Sequence, residues 1–257
     1  MNKKIKKILL KKNKSKIVCL TAYSKNTAKI LDNYVDIVLV GDSMANVLYG
    51  HKTTHKINLD NIIQHSLSVK MGIKKSLLVV DMPKGTYNDL KTAVKNTKLV
   101  IKKTSCDAIK IESNNKNFQI IKTLVENKIP VMGHIGYTPQ FKKKFRVEGQ
   151  TNDEIRRLYK EAKLIQEAGA FSVVLECLSA KAAKSITSKL HIPTIGIGSS
   201  KFCDGQILVI DDLIGLNETK VRFVKKFGQI KKNISKAAKN FSKDVKNKKY
   251  PSKKYSY

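Results

Sequence analysis

The chain has 257 residues, of which 41% are hydrophobic, and its formal net charge is +31. This length suits one (β/α)8 barrel of about 250 residues as well as two small domains. No run of eighteen apolar residues is present, which excludes a membrane-spanning helix, and residues 1–16 lack the apolar stretch of a secretory signal. We therefore expect a cytoplasmic protein without a membrane partner.

The positive charge is concentrated at the two ends of the chain. Residues 1–16 contribute +8 and residues 225–257 contribute +11, almost entirely from lysine. The whole chain contains only four arginines, the residue type best suited to reading bases and phosphates. Lysine, asparagine and isoleucine are abundant together, as drift in an AT-rich genome produces. We expect no specific nucleic-acid partner, although the charge favours nonspecific binding of polyanions.

Eight short apolar runs, separated for the most part by segments with helical periodicity, predict a parallel sheet. Alternating strands and helices form right-handed βαβ units, and eight such units in this length favour a closed (β/α)8 TIM barrel over an open sheet. We expect a single domain over residues 1–257, with a basic N-terminal extension to about residue 16 and a basic helical tail over about 218–257. The predicted strands are Ile17–Thr21, Ile37–Val40, Leu77–Val80, Ala108–Ile111, Val131–His134, Ser172–Leu175, Thr194–Ile197 and Gln206–Ile210.

Four of these runs are followed by an acid: Asp42, Asp81, Glu112 and Glu176. An acid where a buried strand ends is poorly placed for packing, but it is well placed for a site above the C-terminal end of a barrel. One such acid is unremarkable, because surface acids often follow strands. Four of them predict that oxygen ligands or proton carriers converge on one point.

These residue types are suited to enolisation beside a carbonyl group. Asp42 and Asp81 are hard oxygen donors of the kind that hold Mg²⁺, and Glu112 is either a third ligand or a group that orients a bound water. Lys110 shares one strand face with Glu112, and His134 ends the fifth predicted strand. A metal and a lysine around one small anion would stabilise a developing enolate.

Each of these residues also has a purely structural interpretation. Asp42 could form a turn, Asp81 could cap a loop, and Glu176 could lie on the surface. Lys110 and Glu112 could form a structural ion pair, and His134 could be a satisfied histidine at the barrel rim. We assign no role to the remaining histidines, which are His51, His55, His65 and His191.

Short segments along most of the chain resemble the ketopantoate hydroxymethyltransferase family, also called the 3-methyl-2-oxobutanoate hydroxymethyltransferase family. No single segment is decisive, but together, in order and at family-like spacing, they are highly specific. They are Leu20-Thr-Ala-Tyr23, Val40-Gly-Asp-Ser43, Gly50-His51, Asp81-Met-Pro83, Lys110-Ile-Glu112, Val131-Met-Gly-His-Ile-Gly136, Thr138-Pro-Gln140, Leu175-Glu-Cys177, Ile192-Pro193, Ile195-Gly-Ile-Gly198, Asp204-Gly-Gln-Ile-Leu-Val209 and Tyr250-Pro251.

The resemblance implies a (β/α)8 barrel that assembles into a homodecamer. It implies transfer of a hydroxymethyl group from 5,10-methylenetetrahydrofolate to 3-methyl-2-oxobutanoate, which gives 2-dehydropantoate for pantothenate biosynthesis. It also implies roles for individual residues. Mg²⁺ is held by Asp42 and Asp81, with Glu112 in or near its shell. The keto acid is contacted by Asp42, Ser43, Asp81 and Lys110, with His134 close by, and Glu176 is the proton acceptor.

Several loops depart from the family pattern, at Ser24, Asn46, Lys84-Gly-Thr86, Ser113-Asn114 and the basic segment after Gln140. Loops at this end of a barrel shape the site, so these departures concern folate affinity. Two alternatives remain. One is another Mg²⁺-dependent 2-oxo acid enzyme of the phosphoenolpyruvate mutase or isocitrate lyase type, and the other is a polyanion-binding protein built on a decayed enzyme.

Overall fold

The computed structural model describes residues 2–113, 117–142, 144–218 and 221–257. Two departures from the family pattern, Asn114 and Lys143, lie outside the described residues. By its internal contacts the chain divides into two compact units, Met1–Val209 and Ile210–Tyr257. The second unit begins before the tail that the sequence predicts from about residue 218, and the single-domain assignment stays a prediction.

The first unit is a closed barrel of eight parallel strands in chain order, which confirms the predicted (β/α)8 fold. The strands are β1 (Ile17–Thr21), β2 (Ile37–Val40), β3 (Leu77–Asp81), β4 (Ala108–Glu112), β5 (Val131–Gly136), β6 (Ser172–Glu176), β7 (Thr194–Ile197) and β8 (Gly205–Leu208). The helices of this unit are α1 (Lys3–Leu10), α2 (Lys25–Leu31), α3 (Met44–Val47), α4 (Leu59–Lys70), α5 (Leu90–Thr104), α6 (Phe118–Glu126), α7 (Asn152–Glu167) and α8 (Ala180–Lys189).

The last predicted strand is wrong at its C-terminal end. The sequence predicts Gln206–Ile210, but β8 ends at Leu208 and Ile210 begins a short helix, α9 (Ile210–Leu213). An apolar run of this length does not by itself distinguish a strand from the buried start of a helix. The other strands begin where the sequence predicts, and four of them extend one or two residues further, so that three end on an acid.

The N-terminal lysine-rich segment is part of the barrel's packing. Residues 3–10 form α1, and Ile5 and Ile8 are buried in the same apolar cluster as Ile17 of β1 and Ile37 of β2. Asn2 caps this helix by accepting a hydrogen bond from the Lys4 N–H. The apolar face of α1 therefore covers the N-terminal end of the barrel.

Three lysines of this segment pair with three aspartates that precede barrel strands. Each aspartate also accepts a hydrogen bond from a backbone N–H of another strand: Asp36 from Val18, Asp107 from Leu78, and Asp204 from Thr194. Each acid thus joins α1 and its following turn to two strands. The pairs are Lys4–Asp107 at 3.4 Å, Lys11–Asp36 at 2.6 Å and Lys12–Asp204 at 2.8 Å.

The second unit contains α9 and one long helix, α10 (Ile230–Lys246). No residue of α10 is buried, and its apolar side chains, among them Phe241, lie on one side of a lysine-rich helix. Phe241 contacts the ring of Tyr250 in the segment that follows. In the described parts of the chain, no helix has the length and apolar character needed to cross a membrane.

Candidate active site

The structure brings the predicted site residues together at the C-terminal end of the barrel. Asp81, Glu112 and Glu176 are the last residues of β3, β4 and β6, and Asp42 follows β2 by one glycine. His134 lies on β5 between its neighbours on β4 and β6, because it pairs in register with Glu112 and with Val174. The apolar strands thus end in charged side chains at the same end of the barrel, because all eight strands are parallel.

Lys110 and Asp81 form a buried ion pair, with Lys110 Nζ 2.7 Å from Asp81 Oδ2. The other carboxylate oxygen, Asp81 Oδ1, is buried and has no hydrogen-bond partner. Burial raises the pKa of Asp81 to about 6, although Lys110 acts in the opposite direction. Burial by itself would lower the pKa of Lys110, but the charges of the surrounding acids outweigh it and hold this pKa above its ordinary value.

Asp42 and Glu112 are buried and Glu176 is partly exposed, and the environment of all three acids has too little positive charge to balance them. Burial raises the pKa of Asp42 and raises that of Glu112 well above its ordinary value, against the opposing effect of Lys110. Burial also raises the pKa of Glu176 to about 7. A site in which the acids outnumber the lysine would be stabilised by an additional cation or by protons.

His134 lies between two carboxylates without forming an aligned hydrogen bond to either. Its Nδ1 is 3.6 Å from Glu112 Oε1 and its Nε2 is 3.2 Å from Glu176 Oε2, yet neither ring nitrogen has a hydrogen-bond partner. Burial, together with the charge of Lys110, lowers the pKa of His134 well below its ordinary value. The ring is therefore neutral, and these two contacts are not ion pairs.

Ser43 lies at one end of a chain of contacts through Tyr23, His65 and Tyr49, to which the sequence pattern assigned no role. Its Oγ is 2.9 Å from the hydroxyl of Tyr23, and the Tyr23 carbonyl lies 2.7 Å from Nδ1 of His65. The opposite ring nitrogen of His65 is 3.0 Å from the hydroxyl of Tyr49. His65, to which we assigned no role, thus lies behind Ser43.

Gln140 and Tyr87 are buried beside the acids, and neither has a role predicted from the sequence. The Gln140 side chain donates a hydrogen bond to Asp42 Oδ2, and its backbone N–H donates one to Glu112 Oε2. Tyr87 donates to Gln140 Oε1. Gln140 belongs to a family-like segment, Thr138-Pro-Gln140, and that position was the one available signal.

The backbone turns sharply immediately after Glu176. Cys177 has a left-handed backbone conformation, with φ +54°, which is uncommon for a residue with a Cβ. Its N–H donates to the Ile197 carbonyl, and its own carbonyl accepts from the Glu148 N–H. These bonds to β7 and to the loop before α7 hold the strained turn, and with it the position of Glu176.

Two carboxylates and an unpaired buried oxygen fit a divalent cation. Asp81 Oδ1 lacks a partner, and carboxylates with water are the donors that Mg²⁺ prefers. Within residues 2–113, 117–142, 144–218 and 221–257, however, no three His, Cys, Asp or Glu side chains are arranged to hold a metal ion together. Asp81 Oδ1 is the donor that fits a cation, and the ligand set of Asp42, Asp81 and Glu112 stays a prediction.

Solved structures with the same fold belong to a different group of enzymes. The barrel resembles 2,3-dimethylmalate lyase, a member of the phosphoenolpyruvate mutase/isocitrate lyase superfamily, with a TM-score of 0.64 and 13% identity over 100% of this chain and 91% of that one. It also resembles phosphoenolpyruvate phosphomutase from Streptomyces platensis subsp. rosaceus, with a TM-score of 0.64 and 10% identity over 95% and 87% of the two chains. At this identity the likeness concerns the fold alone.

Sequence relatives are far closer. The chain is 55% identical to 3-methyl-2-oxobutanoate hydroxymethyltransferase from Pelagibacter ubique (strain HTCC1062), over 100% of both chains. It is 42% identical to the protein of the same name from Rhizobium etli, over 91% of this chain and 88% of the relative. Residues 2–253 match the family model described as ketopantoate hydroxymethyltransferase. These matches confirm the resemblance, and the chain belongs to the ketopantoate hydroxymethyltransferase family.

Proposed function

We propose that this protein transfers a hydroxymethyl group from 5,10-methylenetetrahydrofolate to 3-methyl-2-oxobutanoate, giving 2-dehydropantoate for pantothenate biosynthesis. Relatives that are 55% and 42% identical over nearly their whole length carry the name of this activity. The observation that carries the proposal is the buried Lys110–Asp81 pair, whose lysine also lies close enough to Asp42 and Glu176 to act on their pKa values. Such a site can bind a small 2-oxo acid and remove a proton next to its carbonyl.

The metal in this proposal is Mg²⁺, held by Asp42 and Asp81 with Glu112 in or near its shell. The unpaired Asp81 Oδ1 and the raised pKa values of the three acids support a bound cation. When bound, Mg²⁺ would supply positive charge that stabilises the negative charge of an enolate. The acids would then be ionised at neutral pH, because a cation favours their charged forms.

The proton is removed by Glu176 in this proposal. Its pKa of about 7 places it near the operating pH of a cytoplasmic enzyme, where a general base is most effective. Lys110 keeps its positive charge and faces the keto acid, and Ser43 would donate a hydrogen bond to it. The ring of His134 is neutral, and its Nε2 lies 3.2 Å from Glu176 Oε2. From there it can form a hydrogen bond with the substrate or with this base.

The wider setting of the protein is also a proposal, supported by membership of the family. We propose a homodecamer that acts in the cytoplasm on small molecules, without a specific nucleic-acid partner or a membrane partner. Mass photometry of the purified full chain tests the assembly, because a decamer of 28.9 kDa subunits is easily distinguished from a monomer or dimer.

The decisive experiment follows the C3 proton of 3-methyl-2-oxobutanoate by NMR in D2O, with the enzyme and Mg²⁺. It is run with and without a chelator, and before and after addition of methylenetetrahydrofolate. Chelator-sensitive exchange followed by formation of 2-dehydropantoate is the expected result. Exchange without conversion would favour a different Mg²⁺-dependent 2-oxo acid enzyme, and folded protein that gives neither would favour a polyanion-binding protein.

A further inference from the structure

Gln140 connects the ends of three barrel strands from a loop that belongs to none of them. It lies between β5 and α7 and is completely buried. Its side-chain N–H groups donate to Asp42 Oδ2 at 2.9 Å and to the Met82 carbonyl at 3.0 Å, beyond the ends of β2 and β3. Its backbone N–H donates to Glu112 Oε2, at the end of β4, at 3.0 Å.

An amide side chain is required for this arrangement. Tyr87 donates to Gln140 Oε1 at 2.5 Å while the Gln140 nitrogen donates to two acceptors, so the group accepts and donates at once. Among side chains of this length only glutamine has one neutral acceptor oxygen and two donor hydrogens on the same end. Because the amide oxygen accepts the hydrogen bond from Tyr87, the amide nitrogen is the atom that faces Asp42.

The loop has a second anchorage that does not involve Gln140. Lys142 Nζ donates to the Gly136 carbonyl at 2.7 Å and contacts Glu148 Oε1 at 2.5 Å. Glu148 in turn accepts from Arg157 of α7 at 2.9 Å. The loop is therefore tied to the end of β5 and to α7 by contacts that do not involve the Gln140 side chain.

We propose that Gln140 is a positioning residue that orients the carboxylates of Asp42 and Glu112 for the divalent cation. The role rests on the metal site of the proposed function. Gln140 donates a hydrogen bond to one oxygen of each carboxylate. This contact fixes the direction in which the other oxygen of that carboxylate points. Partners that orient metal ligands are worth about 10- to 100-fold in metal affinity or activity.

The test measures Mn²⁺ binding to the full-length protein by electron paramagnetic resonance, without substrate. Gln140→Met keeps the length of the side chain but removes its three hydrogen bonds. The backbone N–H bond to Glu112 Oε2 remains, so this variant tests the orientation of Asp42. We expect its Mn²⁺ dissociation constant to rise about 10- to 100-fold, with kcat/KM for the keto acid reduced and partly restored by excess metal. Gln206→Met is the control for the same change of side chain. Gln206 lies on β8, which pairs with β1 and β7, and its side chain donates to the Ser200 carbonyl, so both values should be unchanged.

Tyr87→Phe keeps the test sharp if Gln140→Met does not fold. It removes only the hydroxyl that fixes the amide, and we expect a smaller loss of Mn²⁺ affinity in the same direction. Unchanged Mn²⁺ affinity in a folded Gln140→Met protein, or in Tyr87→Phe, would overturn the positioning role while leaving the proposed function intact. A wild-type protein with no stoichiometric Mn²⁺ site would overturn the metal assignment and the positioning role together.

Discussion

Gly136 and Glu176 occupy paired positions at the ends of β5 and β6, and a Cβ placed on Gly136 would lie 2.2 Å from the carbonyl oxygen of Glu176. Gly136 also has a φ of +94°, a conformation that side chains with a Cβ rarely adopt. A glycine at position 136 is therefore required for the placement of Glu176, the proposed base.

The substitution Gly136→Ala should destabilise the barrel and displace Glu176. The matched control is Gly85→Ala, because Gly85 has a similar φ of +85° but a Cβ added there would meet nothing within 4 Å. The control should cost only the backbone strain, about 1–2 kcal/mol in the free energy of unfolding. Gly136→Ala should cost clearly more in urea unfolding and should lower kcat, and equal losses in the two variants would show that the close approach to Glu176 is unimportant.

Proton abstraction should depend on the ionised form of Glu176. Because burial raises its pKa to about 7, the rate of C3 proton exchange should rise with pH through about 7 and then level off. Glu176→Gln should lose about 100- to 10,000-fold in exchange rate, the usual contribution of a general base. Glu167→Gln, at the exposed end of α7, is the control, and a Glu176→Gln protein with the same pH profile as wild type would exclude Glu176 as the base.

Asp81→Asn should remove most activity and also change how stability depends on pH. The pKa of Asp81 is about 6 in the folded protein against an ordinary value of 3.8, so the folded state binds this proton more tightly than the unfolded state. The resulting stabilisation is complete below about pH 3.8 and is lost as the pH rises through about 6. Metal-free wild type should therefore lose stability over this range, and Asp81→Asn should lose less.

Urea unfolding in a chelator at pH values on both sides of this range measures the effect. Added Mg²⁺ should restore stability to wild type at neutral pH, because a cation that binds only the folded state stabilises it. The variant should gain much less from Mg²⁺. Parallel pH curves for the two proteins would contradict the raised pKa of Asp81. An equal gain of stability from Mg²⁺, or near-normal turnover of Asp81→Asn, would contradict the metal assignment.

Lys12→Met should destabilise the barrel strongly for a single lysine substitution. Lys12 and Asp204 are both largely buried, with 8% and 6% of their side chains exposed, and the substitution leaves Asp204 without its counter-charge. Removing one partner of a buried pair typically costs about 3–5 kcal/mol. Lys14→Met, in the same segment but exposed, should change the urea midpoint very little, and equal effects would mean that only the total charge matters.

The barrel and the acids at its rim could be predicted from the sequence because both depend on local pattern. A buried parallel strand is a continuous apolar run, so the residue that ends it, such as Asp81 or Glu112, is visible without knowledge of the rest of the chain. The same rule misplaced the end of β8, because Ile210 continues the apolar run but begins a helix.

Gln140, Tyr87 and His65 could not be assigned from pattern. Gln140 reaches the site because its loop folds back over the barrel, and its contact with Asp42 spans 98 positions of sequence. Loop residues have no periodicity that indicates which way they face. The pairing of Lys12 was missed for the same reason. The sequence of a lysine-rich segment is the same whether its lysines are exposed to solvent or paired with a distant aspartate.

The covering of the barrel by α1 has a consequence for synthesis on the ribosome. Helix α1 carries Ile5 and Ile8, yet the cluster that buries them includes Ile207, and Lys12 meets an acid 192 positions later. Contacts of such separation form late, after the intervening chain is available. The apolar face of α1 therefore stays without its buried partners until nearly the whole barrel has been translated.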